Sequence, residues 1–399
     1  MSLHFNTFVG GWLQDGYEIA NVSALDGFVS GLILMASLHG LLLAFILLFN
    51  KALRSKSNTF LAISILGVCV ILVYEFMYWF ELETAIPEWI HYLPIYIRTT
   101  IPIGIFYFVL FLINPKRKLS NFEKIGFIFI AIELLLALLY IPLGLFADSV
   151  ERREHYGYLI ALASWFLTIL ASILLLPIAI KRVNRYQNFL YNNYSTTNRK
   201  SLRWLQIFLT VLLLVMFLST ISFIQYLIGD WNGGEITFEL LTICFMILLF
   251  WIGYFLVLQY RWFEIAPIKE EAQETNSTPG KLSSNTLNYY HQLKGLLNDE
   301  NVYEDVNLTL DNLAERLNIS SGYLSQIIKE NEQKNFFEFI NSYRISSVKE
   351  KLQNEEYKNY TIMGIAMESG FNSKSTFNAV FKKFANETPS AFKKRHLSS

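Results

Sequence analysis

Seven stretches of this chain stay apolar over about the 20 residues that a helix needs to cross a membrane: 27–49, 59–80, 93–113, 122–146, 157–180, 203–228 and 236–258. A hydrocarbon layer about 30 Å thick offers no water to backbone N–H and C=O groups, so each crossing must close its own hydrogen bonds. The pattern predicts a seven-helix transmembrane domain over 27–258, behind an extracytoplasmic segment, 1–26. A barrel is excluded, because its strands would be about 10 residues of alternating polarity. Pro94, Pro102, Pro142 and Pro177 fall inside these spans, where neighbouring helices can re-satisfy the freed backbone groups. Charge divides along the same line. Residues 1–258 hold 16 basic and 15 acidic side chains, whereas the much shorter 259–399 holds 17 and 18. The zero net charge of the chain averages two regions written for two solvents.

Orientation follows from the basic residues of the short loops. Lys51, Arg54, Lys56, Lys116, Arg117, Lys118, Lys181, Arg182, Arg185, Arg199 and Lys200 lie on one side, and only Arg152 and Arg153 on the other. The basic side is the cytoplasm. The N-terminus is therefore expected outside and the polar C-terminal region inside. No basic segment followed by an apolar core precedes residue 27, so no secretory signal peptide is expected. Cys69 and Cys244 both sit in apolar runs, which gives no support to a disulfide framework or a thiolate metal site.

Charged residues inside a span are costly and mark candidate sites. Glu75 and Arg98 fall in the outer thirds of spans two and three, and Gln225 and Glu239 reach a similar depth from spans six and seven, while His39 and Glu133 lie deeper. Together Glu75, Arg98, Gln225 and Glu239 form a candidate signal pocket open to the outside, flanked by Tyr74, Tyr78, Trp79, Tyr92 and Tyr96. The alternative is a structural Glu75–Arg98 ion pair with an aromatic interfacial belt. Sequence spacing leaves both open.

Beyond the last span, 259–300 reads as a polar linker. It is rich in Pro, Gly, Ser and Glu and ends in a short amphipathic helix bearing Leu287, Tyr290, Leu293, Leu296 and Leu297. The apolar face of that helix can pack on the domain that follows or on a second copy. Residues 301–399 show helical periodicity and contain an internal repeat. TLDNLAERLNISSGYLSQIIKE and TIMGIAMESGFNSKSTFNAVFKKF share a Thr cap, an aliphatic and Ala pair, a turn, a Ser cap and a striped helix. Leu310, Leu313 and Ala314 correspond to Ile362, Ile365 and Ala366; Ser320, Leu324, Ile327 and Ile328 correspond to Ser373, Phe377, Val380 and Phe381. Asn318 and Gly370 stand where the tight turn can require a left-handed backbone. The repeat predicts two helix-turn-helix units, joined by a helix from 336 to about 354 with Phe337, Ile340, Tyr343, Arg344, Val348 and Leu352 as its buried stripe.

From about 290 to 397 the chain resembles the DNA-binding domain of the AraC/XylS family of bacterial transcription regulators. The run IAMESGFNSKSTFNAVFKKFANETPSAFKKR carries the resemblance, with its Gly370-Phe371 turn, Phe381-Lys382-Lys383 run and closing Thr388-Pro389-Ser390. Together with the front half, the chain is similar to a membrane-bound branch of that family. The expected fold is all-α, a seven-transmembrane bundle followed by a cytoplasmic double helix-turn-helix domain. The resemblance implies base contacts by the second helix of each unit: Ser321, Gly322, Ser325 and Gln326 in the first, and Lys374, Ser375, Thr376, Asn378, Ala379 and Lys382 in the second. Many relatives carry Arg at the positions of Gln326 and Ala379. Residues 301–399 hold 13 basic and 12 acidic side chains, but 374–399 hold six basic and only Glu387 acidic, so phosphate contacts are expected mainly there.

No phosphate-cradling glycine loop, HExxH or kinase signature is present, so no enzyme activity, metal site or cofactor is expected. The chain is expected to be a one-component regulator that senses an extracytoplasmic or membrane signal and binds promoter DNA. Its expected partners are double-stranded promoter DNA, membrane lipid, a small-molecule or protein signal and a second copy of itself. A transporter, or a membrane scaffold whose tail makes protein contacts, are the competing classes.

Overall fold

The computed structural model describes residues 24–79, 97–145, 150–197, 201–228, 231–259 and 284–397. Residues 1–23 of the predicted extracytoplasmic segment, most of the polar linker, and Tyr92 and Tyr96 lie outside the described residues. Among the described ones the secondary structure is helical, apart from one isolated antiparallel bridge between Tyr194 and Thr309. The chain divides into two compact units. One comprises Met1–Val183 and Trp204–Trp262, the other Asn184–Arg203 and Phe263–Ser399.

The first unit contains α1 (Ala24–Phe49), α2 (Lys56–Trp79), α3 (Thr100–Ile113), α4 (Ile125–Leu145), most of α5 (Val150–Asn193), α6 (Arg203–Ile228) and α7 (Trp231–Gln259). Four described helical stretches are long and apolar enough to cross a membrane: Phe28–Phe49, Lys56–Met77, Tyr156–Asn193 and Arg203–Gln225. The other three predicted spans give the shorter apolar helices Thr100–Ile113, Ile125–Leu139 and Glu239–Phe255 within the described residues. Seven full crossings are thus not described. The apolar pattern measures how much chain lipid can hold, and for these three spans part of that chain lies outside the described side chains.

Span five departs from expectation in the other direction. Its apolar run stops near 180, yet α5 continues to Asn193 across the basic Lys181, Arg182 and Arg185, with Pro177 inside it. At 1.5 Å per residue the continuation adds about 20 Å. Near its base Arg182 meets Glu123 at 3.1 Å, and Arg117 meets the same carboxylate at 2.7 Å. Glu123 is nearly inaccessible, so the pairing fixes the segment before α4 to α5.

The second unit contains α8 (Ser284–Asn298), α9 (Leu310–Arg316), α10 (Ser321–Glu332), α11 (Phe336–Gln353), α12 (Ile362–Glu368), α13 (Lys374–Ala385) and α14 (Pro389–Leu397), with short 3-10 turns at Val302–Glu304 and Glu355–Tyr357. The repeated caps are made as the sequence suggests. Thr309 accepts from the amide of Asn312, Ser320 from Tyr323, Thr361 from Gly364 and Ser373 from Thr376. Each satisfies an amide that the first turn leaves without a partner. The two turns adopt positive φ at Asn318 (53°) and Gly370 (93°).

Two apolar clusters fill this unit. Leu310, Leu313, Ala314, Leu324 and Ile328 of the first repeat gather with Phe336, Phe339 and Ile340 of α11. Ile365, Ala366, Phe377, Val380 and Phe381 of the second gather with Ile345, Val348 and Leu352 further along the same helix. The predicted single stripe on α11 is corrected accordingly. Phe337 and Tyr343 are only partly buried, whereas Phe336, Phe339, Asn341, Ile345 and Ser347 are buried as well. A helix covered by a different repeat at each end has no one polar side.

Helix α8 places Leu293 and Leu297 in the first cluster, so its apolar face belongs to this domain. It is also held electrostatically. Glu332, at the end of α10, accepts from Tyr290 and from Lys294, each at 2.6 Å, and from Lys334 at 3.2 Å. Burial alone would raise the pKa of Glu332, but the Lys294, Tyr290 and Lys334 hydrogen bonds outweigh it and hold it down at about 2, well below the usual carboxylate range. A carboxylate with a depressed folded pKa contributes stability above its unfolded pKa and loses it as pH falls towards the folded one. Acidification from about pH 5 to about pH 2 is therefore expected to cost roughly 2–3 kcal/mol at this contact, read as faster amide exchange in α8. Glu332→Gln should flatten that dependence.

Candidate nucleic-acid interface

The caps at Ser320 and Ser373 fix where α10 and α13 begin and therefore which side chains face away from the two clusters. Leu324, Ile327 and Ile328 point inward from α10, and Phe377, Val380 and Phe381 from α13. What remains outward includes the predicted contact residues. In α13, Lys374, Ser375, Asn378, Ala379 and Lys382 are exposed and Thr376 is half-buried. In α10, Gly322 is exposed, and Ser321, Ser325 and Gln326 are half-buried. A Cβ built on Gly322 meets nothing within 4 Å. Packing within the protein therefore does not require glycine there, and another surface can approach the backbone closely.

The two recognition faces differ in charge. On the first, Ser321 donates to Asp311, and Gln326 donates to Glu330 at 2.7 Å. Gln326 would have to leave that carboxylate to form a bidentate pair with adenine. On the second, Lys383 reaches Glu338 at 2.5 Å, whereas Lys374 and Lys382 are exposed and make no described ion pair. Arg395 is held by Glu387 at 2.6 Å, and Lys393 donates to the backbone oxygens of Lys358 and Tyr360. Of the basic cluster read from the sequence, Lys374 and Lys382 thus stand exposed on α13 itself. Exposed positive charge concentrates on the second helix-turn-helix unit, and the first offers polar atoms among acidic neighbours.

The segment leading into the first helix-turn-helix and the turn of the second converge on Arg344 of α11, which is fully buried. Its Nε donates to the backbone oxygen of Tyr303 at 2.7 Å, and its Nη2 to that of Asp305 at 2.8 Å. Its guanidinium lies 5.9 Å from the ring centre of Phe371, beside the turn of the second unit. Burial pushes its pKa down to about 10, against an opposing pull from Asp305, so it is cationic at neutral pH. A stripe position in the sequence does not distinguish this residue from its apolar neighbours. Its partners come from elements about 40 residues upstream.

The candidate signal-pocket residues of the first unit are brought together only in part. Arg98 lies in the field of Glu75 and Glu133 and stacks on Trp165 at 4.7 Å. Glu133 accepts from Thr99 at 3.0 Å and from Ser164, and Thr99 also bonds Thr168 at 2.8 Å. Gln225 instead accepts from Thr237 at 3.0 Å, and Glu239 is exposed. The sequence reading missed Thr99, Ser164 and Thr168. Small hydroxyl residues are common inside membrane helices, so only their convergence on a carboxylate distinguishes them.

Two capped helix-turn-helix units on one connecting helix define a DNA-binding domain of the double helix-turn-helix class. Residues 313–395 match a family model described as "Helix-turn-helix domain". The chain is 30% identical over 86 residues to the probable transcription factor PqrA of Proteus vulgaris, which covers 22% of this chain and 68% of that protein. It is 32% identical over 115 residues to an uncharacterized HTH-type transcriptional regulator of Staphylococcus aureus strain COL. That match covers 26% of this chain and only 15% of the relative. A solved structure of a protein of unknown function from Listeria innocua matches 29% of this chain and 99% of its own, at 25% identity and a TM-score of 0.23. The chain belongs to the AraC/XylS family of transcription regulators by its C-terminal domain, a family normally without enzymatic activity.

Proposed function

We propose that this protein is a membrane-embedded, one-component transcription regulator: apolar helices hold it in the bacterial inner membrane, and the double helix-turn-helix domain reads promoter DNA from the cytoplasm. The observation that carries this reading is one polypeptide with two kinds of surface. Helices such as Phe28–Phe49 and Arg203–Gln225 leave large apolar side chains outward, which suits lipid. The domain at the other end presents Lys374, Asn378 and Lys382 on a helix whose inner face is fully committed to a core. Base edges are to be read by Ser321, Ser325 and Gln326 in one major-groove segment and by Lys374, Ser375, Thr376, Asn378 and Ala379 in the next. Gly322 admits close approach, and Lys382 meets phosphate. The cluster of Arg98 with the buried Glu75 and Glu133, together with Thr99, Ser164 and Thr168, is the place where a signal from outside or within the membrane would act, since a shift of one charge there unbalances the others.

Full-length protein in nanodiscs, offered a pool of random duplexes, should enrich one class of sequence and protect two patches about one helical turn apart. Lys374→Ala combined with Lys382→Ala should weaken binding roughly tenfold or more and lower the salt slope by about 1, because the lost Lys382 phosphate contact releases about one counterion. Gln326→Ala should instead relax preference at one position, at a cost of about 1–3 kcal/mol. Failure of the wild-type chain to enrich any duplex would sink the reading.

A further inference from the structure

One segment of the DNA-binding unit does not come from the C-terminal half of the chain. The hairpin Asn184–Arg203, which joins α5 to α6, belongs to this unit. It is closed on itself by Arg203, which donates to the hydroxyl of Tyr191, and by the pairing of Ser201 with Gln187 at 3.3 Å. Residues 191–196 lie against the segment leading into the first helix-turn-helix and against the middle of α11, between the stretches that join the two apolar clusters. The amide of Ser195 donates to the backbone oxygen of Leu308 at 3.2 Å, and its hydroxyl donates to the same oxygen at 2.7 Å. Thr196 donates to the oxygen of Val306 at 3.1 Å, and Tyr191 meets Phe337 edge-on. The backbone oxygen of Ser195 accepts from Asn341 at 3.0 Å and from Arg344 at 3.2 Å, and its hydroxyl accepts from Arg344 at 3.1 Å.

Two features mark this as a built contact. Ser195 and Asn341 are fully buried, and Asn341 keeps its Oδ1 buried with no described partner. An unsatisfied buried acceptor is costly, so the asparagine is justified by what its Nδ2 does, and one of its two bonds goes to Ser195. The contacts also spare the recognition faces: 306, 308, 309, 337, 341 and 344 carry them, and α10 and α13 carry none of those above. The hairpin therefore braces the domain without covering its outward helices.

We infer that the Asn184–Arg203 hairpin is the coupling element of the regulator, a brace seated on Arg344 and Asn341 that sets the attitude of the two helix-turn-helix units to one another. This rests on the reading of the chain as a membrane-bound DNA-binding regulator. A change in the sensor is transmitted along α5, whose last turns form the first limb of the hairpin. With the brace seated, both units engage one duplex together; with it displaced, Arg344 loses two of its four acceptor contacts and the units bind independently. Joint engagement raises affinity through effective concentration with no new DNA contact, so the brace acts on full sites and not on half sites.

The test uses full-length protein in nanodiscs, the duplex selected by the wild-type chain, and a half duplex holding the patch of the second unit alone. In the wild type, hydrogen exchange over 190–197 should be slow. Ser195→Lys puts a second cation against Arg344 at a position with no access to water. Exchange over 190–197 and 303–309 should rise, affinity for the full duplex should fall tenfold or more, and affinity for the half duplex should stay within twofold. Fast exchange in the wild type, or unchanged exchange in S195K, overturns the docking. Raised exchange with full-duplex affinity unchanged overturns the coupling role, as does an equal loss on both duplexes. If the wild-type chain selects no duplex at all, it is the DNA-binding reading that fails, and slow exchange over 190–197 would then still report a seated hairpin.

Discussion

Gly370→Ala is expected to destabilise the second helix-turn-helix unit by about 3 kcal/mol or more, from left-handed strain of about 1–2 kcal/mol together with an overpacking cost of similar size. Gly370 sits at φ 93°, where an L side chain is strained whatever space surrounds it. Space is also lacking: a Cβ would lie 2.6 Å from the backbone oxygen of Tyr303 and 2.7 Å from Nε of Arg344. Neither neighbour can yield cheaply, since one is backbone and the other is itself fixed by four hydrogen bonds. Gly370→Asn separates the causes, because asparagine tolerates positive φ but keeps the Cβ. It should recover only the conformational share. Native-state hydrogen exchange across 362–397 measures both, and exchange unaltered by the alanine would mean that the turn is not built this way.

Arg344→Met should cost about 3–5 kcal/mol, an effect of the same order. Methionine restores much of the volume but none of the donors, leaving the oxygens of Tyr303, Asp305 and Ser195 short of partners in a dry site. Hydrogen bonds to a charged donor contribute roughly 1.5–3 kcal/mol each, and losing several around one group is less than additive. Arg344→Lys keeps the charge but has one head instead of a planar fork, so it should fall between the wild type and the methionine variant. The distinguishing result is where exchange rises. A contact linking three parts of the unit should release 303–309, the 190–197 segment and the turn at 369–371 together. Release of α11 alone would reduce Arg344 to an ordinary core residue.

Much of the DNA-binding unit was legible in the linear chain because its determinants are local. A Thr or Ser followed by an amide three residues on makes a cap wherever it stands, and Asn318 and Gly370 could be marked as turn residues from their place between two striped helices. The recognition faces followed by subtraction: once Leu324, Ile327, Phe377 and Phe381 are assigned inward, Lys374, Asn378 and Lys382 have to face out. The state of each outward residue was not legible. Gln326 is engaged by Glu330 and Lys383 by Glu338, and the second of these carboxylates lies 45 residues away, beyond any spacing rule.

The seven apolar runs and the charge asymmetry of the loops come from composition, which requires only that lipid exclude unpaired polar groups. From these runs the sequence by itself determined the all-α class of the front half, and from its local caps, repeat and C-terminal motif the pair of helix-turn-helix units and the family. It placed Glu75 and Arg98 at one depth without deciding their partners, and the tertiary structure added Glu133, Thr99, Ser164 and Thr168 to that neighbourhood. The assignment of the Asn184–Arg203 hairpin was likewise decided only in three dimensions. In sequence it is a basic loop between two spans, and a basic loop reports which side of a membrane it occupies. Its union with the DNA-binding unit depends on Ser195 meeting Arg344, 149 positions away. Local chemistry repeats along a chain and can be read there, whereas a buried guanidinium takes its acceptors from wherever folding brings them.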